Sequence, residues 1–123
     1  MKKIGRSLIA VCLVMGYSIV SHATGTNCQS TVSQVTIKPG GALETNMASI
    51  AGGLPLNWCS VTTNSSSYQF DTNACKALYA LFLAASLSGS VIYVQFSNTS
   101  SCASQAPYTP IATLINGPTL YAP

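Results

Sequence analysis

Past residue 23, few side chains are able to do covalent or acid–base chemistry: Cys28, Cys59, Cys75 and Cys102, the carboxylates Glu44 and Asp71, and the amines Lys38 and Lys76. His and Arg occur only before that point, as His22 and Arg6. Without an imidazole there is no Ser-His-Asp or Cys-His nucleophile and no histidine ligand for zinc. Two carboxylates far apart in sequence make a glycosidase pair only if they meet in space, and Asp71 is better placed to cap a helix. The residue types therefore point away from an enzyme and away from a metal or other cofactor.

The cysteines are the remaining chemistry. Four of them in about a hundred residues of an exported chain read as two disulfides, for which three connectivities exist. The expected pairs are Cys59 with Cys75, tying the end of a strand to the first turn of a helix, and Cys28 with Cys102, pinning the N-terminal extension to a later loop. A four-cysteine zinc site and a reactive Cys75 at a helix N-terminus are the alternatives. Against both stand the absence of C-x-x-C spacing and the oxidation of exported thiols.

Export is itself read from the start of the chain. Lys2, Lys3 and Arg6 form a basic segment, Leu8 to Val20 an apolar one, and Ser21-His22-Ala23 a small-residue cleavage site. Residues 1–23 thus read as a secretory signal peptide and 24–123 as a single small domain, periplasmic or extracellular. The apolar run is shorter than the roughly 20 residues of a membrane span, so no membrane insertion is expected after cleavage. Cys12 lacks a preceding small residue and is not read as a lipidation site. The formal charge of +3 belongs to the precursor, because residues 24–123 balance Lys38 and Lys76 against Glu44 and Asp71. Nucleic acid is excluded as a partner on that count, since phosphates need clustered cations.

The elements that must position these residues centre on Phe70 to Phe96, where the hydrophobic period changes. Ala74, Leu78, Leu81, Phe82 and Ala85 share one helical face, widened by Leu83 and Leu87, and predict a helix covered on more than one side. Asp71 or Thr72 caps its start and Gly89 ends it. Val91 to Phe96 then alternates as a strand. Upstream, strands are predicted at Thr31–Ile37, Ala42–Met47 and Leu56–Thr62, with Trp58 and Ser60 on the opposite face from Cys59 and Val61. A last strand is expected at Ile111–Ile115, closed by Asn116-Gly117-Pro118. The fold class is α+β, mainly β: a five-stranded, OB-like, partly open barrel with one helix between strands 3 and 4.

This order, the helix ending in Ser88-Gly89 and the following Val91-Ile92-Tyr93-Val94-Gln95-Phe96 strand resemble the small OB-fold B subunits of AB5 toxins of the subtilase-cytotoxin and typhoid-toxin type. They are equally similar to small exported bacterial proteins that share the helix start Cys75-Lys76-Ala77-Leu78-Tyr79. The resemblance extends over Leu56–Cys102 and implies a pentameric, glycan-binding protein; none of that family's sugar-contacting residues is carried over.

Surface chemistry points the same way. Ser, Thr, Asn and Gln supply neutral donors and acceptors, and Trp58, Tyr68, Tyr93, Tyr108 and Tyr121 supply flat faces suited to uncharged sugars. Trp58 and Tyr93 fall on strands and read as core; Tyr68 and Tyr108 fall in loops and are the candidate ligand-binding residues. Asn64 and Asn98 open N-x-S/T triplets that this composition produces by chance. The expected function is therefore a non-enzymatic exported binding module for a glycan. The alternative is a structural or protein-interaction subunit, and the low charge favours a homo-oligomer in either case.

Overall fold

The computed structural model describes residues 25–120; residues 1–23, read above as a signal peptide, and Tyr121 lie outside them. The order is β1 (Thr26–Ile37), β2 (Ala42–Met47), a 3-10 turn (Ala51–Gly53), β3 (Pro55–Ser60), α1 (Thr72–Ser88), β4 (Val91–Phe96) and β5 (Leu114–Leu120). The strands form one sheet in the order β3-β2-β1-β4-β5, with every neighbouring pair antiparallel. The fold is thus mainly β, with one helix, and the sheet is open.

β1 is the hub. Its first half, Thr26–Thr31, pairs with β4, and its second half, from Val32 to Ile37, pairs with β2. The register shifts between Val32 and Gln34, and such a bulge bends and twists a strand enough to let it serve two partners. The predicted start at Thr31 is therefore corrected to Thr26. The polar run before it is ordered by pairing, with Cys28 and Ser30 facing inward. Ser30 is kept satisfied by donating to Thr31 O (3.1 Å) and accepting from Ser49 N–H (3.0 Å).

Two further expectations are overturned by bulges. In β3 the partners step from Leu43↔Cys59 to Glu44↔Asn57, leaving Trp58 as the extra residue. Trp58, Cys59 and Ser60 are consequently all buried, so the expected separation of Trp58 and Ser60 from Cys59 onto opposite faces does not hold. β5 begins at Leu114 rather than Ile111 and continues through Asn116-Gly117-Pro118, which was expected to close it. Gly117 makes this feasible: at φ 83° a side chain is strained, and a Cβ would stand 2.6 Å from Tyr93 O.

The helix keeps its expected ends. Asp71 Oδ1 accepts from Ala74 N–H at 2.8 Å, and Gly89 takes the left-handed conformation at φ 68°. One stripe is buried, Cys75, Leu78, Phe82 and Ala85, packed on a core that includes Leu43, Trp58, Ile92, Val94 and Phe96. Among the described residues, full burial is confined to that stripe: Leu81 and Leu83 are half-buried and Leu87 is 88% exposed. Both expected disulfides are present, Cys28–Cys102 and Cys59–Cys75. The second joins the sheet to the first turn of the helix. No helix among the described residues is long and apolar enough to cross a membrane.

Candidate functional site

The loop between β3 and α1 is built by short polar contacts. Asn64 Oδ1 accepts from Thr72 N–H (2.9 Å), Tyr68 N–H donates to Ser65 O (3.2 Å), and Ser67 N–H donates to Ser65 Oγ (3.2 Å). Gln69 fastens the loop to the sheet: its Nε2 donates to Leu114 O (3.1 Å) and its Oε1 accepts from Leu114 N–H (2.7 Å). One carboxamide thus does the work of a neighbouring strand at the start of β5.

These contacts frame a hollow of about 330 Å³, open to solvent and lined by Asn64, Ser65, Ser66, Tyr68, Gln69, Phe70 and Asp71. Tyr68 and Phe70 are partly buried against the core and form its apolar wall. The polar wall is neutral apart from Asp71. Asn64 Oδ1 and Asp71 Oδ1 are occupied by helix amides, which leaves the Asn64 amide hydrogens as donors and the second Asp71 carboxylate oxygen as an acceptor. The amides of Thr72 and Ala74 are already satisfied and a carboxylate sits beside them, so the helix end no longer favours an anion there.

The two candidate tyrosines are not brought together. Tyr68 lines the hollow. Tyr108 stands outside it, 59% exposed, with its N–H donating to Pro55 O at 2.9 Å. Trp58 is a core residue, fully buried, and Tyr93 is half-buried on β4 with its hydroxyl donating to Asn27 Oδ1 at 2.9 Å. Asn64 and Gln69 were missed as site residues. Asn64 had a legible signal, an Asn in a Ser-rich loop ahead of a helix cap, whereas the role of Gln69 depends on β5, 45 residues away.

Both carboxylates have structural partners. Glu44 pairs with Lys38 at 3.2 Å across the β1–β2 hairpin, and Asp71 caps α1. Among the described residues no three His, Cys, Asp or Glu side chains gather as a metal site.

Fold and cysteines together define a small, mainly β protein with two disulfides, and bonds of that kind point to an oxidising, exported location. No family model, curated protein or solved structure matches the chain.

Proposed function

We propose that the protein is an exported, non-enzymatic binding module that takes a neutral saccharide in the hollow at residues 64–71. The observation that carries this reading is a tyrosine wall beside neutral hydroxyl and amide groups, at a helix end whose amides are already capped. Aromatic faces accept the apolar side of a sugar ring, and the Asn64 amide and the free Asp71 oxygen suit adjacent hydroxyls. Anionic sugars are disfavoured by the Asp71 carboxylate. Export would be directed by residues 1–23, to the periplasm or beyond the cell.

The test is retention on an array of neutral and acidic glycans by the oxidised protein. Neutral glycans are expected to bind, and Tyr68→Ala to weaken them at least ~10-fold, the scale of losing one well-packed aromatic contact. Tyr108→Ala leaves binding of a single sugar unit unchanged, because Tyr108 lies outside the hollow. Retention of no glycan, or a silent Tyr68→Ala, overturns the reading.

An OB-like architecture belongs to the same proposal. It is supported by a long β1 shared between β2 and β4, by the helix between β3 and β4, and by a parallel bridge, Asn57↔Pro110, between β3 and the segment leading to β5. The second reading, an assembly subunit, is favoured by Leu87, a large apolar side chain left 88% exposed on α1. Light scattering on the oxidised protein addresses assembly directly. A pentamer is expected from the resemblance to toxin B subunits, and a monomer at all concentrations removes both the pentamer and the assembly reading.

A further inference from the structure

Between β4 and β5 the chain does not pass directly from one strand to the next but returns along the flank of β3. Its attachments there are few. Thr26 Oγ1 donates to Thr99 O (2.6 Å), Ala51 N–H to Cys102 O (2.9 Å) and Tyr108 N–H to Pro55 O (2.9 Å), Cys102 is bonded to Cys28, and Ile111 N–H closes the run on Asn57 O (2.9 Å). Ile111, 2% exposed, marks the return to the core.

The closed arrangement carries several local penalties along this one seam. Gln105 is 4% exposed, yet its Oε1 has no hydrogen-bond partner among the described residues; neither has Asn57 Oδ1 on the facing strand. Ala51 and Tyr108, which donate across the seam, are both held at positive φ, 51° and 60°. Opening would give the two oxygens access to water and let both residues relax to ordinary conformations. Non-covalent contacts therefore hold this segment weakly, and the Cys28–Cys102 bond dominates its closure.

The two disulfides also differ in access. Cys59 and Cys75 are both 0% exposed, whereas Cys102 is only partly buried beside a fully buried Cys28. Thiol–disulfide exchange requires a thiolate to reach one sulfur, so Cys102 is the point of entry.

We propose that Cys28–Cys102 is a reducible latch, and that a dithiol reductant opens it to release residues 99–109 from the flank of β3 while the sheet and helix stay folded. A thiolate of the reductant attacks Cys102 Sγ, forming a mixed disulfide and expelling Cys28 as a thiolate. The second thiol of the reductant then attacks its own sulfur in that mixed disulfide, closing an intramolecular disulfide and freeing Cys102. Two electrons pass to the protein, and the two protons of the reductant end on Cys28 and Cys102. The opened form exposes Ala51 and frees Pro55 O on β3, and it turns about Ile111. The device is independent of what the hollow at 64–71 binds.

The experiment is a native titration of the oxidised protein with dithiothreitol, with alkylation and mass spectrometry to identify freed thiols and hydrogen exchange to follow the backbone. Cys28 and Cys102 are expected to be freed at least ~10-fold faster than Cys59 and Cys75, an access effect on exchange. The amides of Ala51 and Tyr108 then lose protection, while those of Ile111, Cys75 and Val94 keep it. A Cys28→Ser/Cys102→Ser double variant, made without any reductant, is expected to give the same exchange pattern. Three results overturn the proposal: both disulfides opening together with global loss of protection, Cys59–Cys75 opening first, or Cys28–Cys102 opening with Ala51 and Tyr108 still protected. If the double variant does not fold, the titration of the oxidised protein decides alone.

Discussion

Trp58→Ala is expected to lower the unfolding free energy by about 3–5 kcal/mol, the range for removing a large aromatic from a core. Trp58 is 0% exposed and its ring lies 4.9 Å from that of Phe82, tilted by 45°. It therefore joins the sheet to the buried stripe of the helix. Its Nε1–H also donates to Thr45 Oγ1 at 2.7 Å, and Thr45 is itself 0% exposed. The substitution opens a cavity and strands a buried hydroxyl at once. Since a domain of this kind has only roughly 5–15 kcal/mol in total, the variant sits near the threshold of folding. Trp58→Phe separates the two contributions: much of the packing is kept while Thr45 loses its donor, for an expected loss of about 1–3 kcal/mol. Denaturant midpoints under oxidising conditions provide the measurement. A loss below about 1 kcal/mol for Trp58→Ala would show that the core does not close around this residue.

The second large effect is an ordering of the two disulfides that runs against their loop lengths. Cys59 and Cys75 are separated by 16 residues and Cys28 and Cys102 by 74. Loop-closure entropy alone assigns about 3 kcal/mol to the short loop and about 4.5 kcal/mol to the long one. Those values assume that both ends stay fixed in the native state after the bond is removed. That holds for Cys59–Cys75, whose ends are a core strand and the first turn of a docked helix, both 0% exposed. It does not hold for Cys28–Cys102, because residues 99–109 gain freedom in the native state too and shed the penalties at Gln105, Ala51 and Tyr108. Removing the short-loop bond, as Cys59→Ala/Cys75→Ala, is therefore expected to cost at least as much as removing the long-loop bond, about 3 kcal/mol. Equilibrium unfolding of the two double variants checks it, and a clearly greater loss for the long loop would mean that the segment stays fixed without its disulfide.

The helix was legible because its limits are local. Asp71 and Gly89 act on backbone groups within a few residues, and the spacing of Leu78, Phe82 and Ala85 marks one face without reference to anything distant. β4 was legible for a similar reason, since a two-residue alternation is written into it, and the weakly patterned β2 was placed by the Lys38-Pro39-Gly40-Gly41 turn ahead of it. Cysteine number and compartment restricted the bridges to three pairings, and the geometry realises Cys28–Cys102 with Cys59–Cys75.

The hollow was half legible. A polar loop carrying Tyr68 ahead of a helix is visible in the residues, but the hold of Gln69 on Leu114 is not, because nothing near Gln69 announces a partner in β5. Tyr68 and Tyr108 look equivalent as loop aromatics. Only the path of the chain sets one in the hollow and the other beside Pro55.

By itself, then, the sequence determined the helix and its caps, the alternation of β4, and, past residue 23, the four cysteines and the near absence of charge. Tertiary structure alone decided that the polar run Thr26–Ser30 is a strand, that Asn116-Gly117-Pro118 continues one, and that a bulge turns Trp58 and Cys59 inward together. The reason is that a strand's hydrogen bonds are satisfied by residues remote in sequence. Thr26 is ordered by Phe96 and Gly117 by the close passage of Tyr93 O, and no local pattern carries that information.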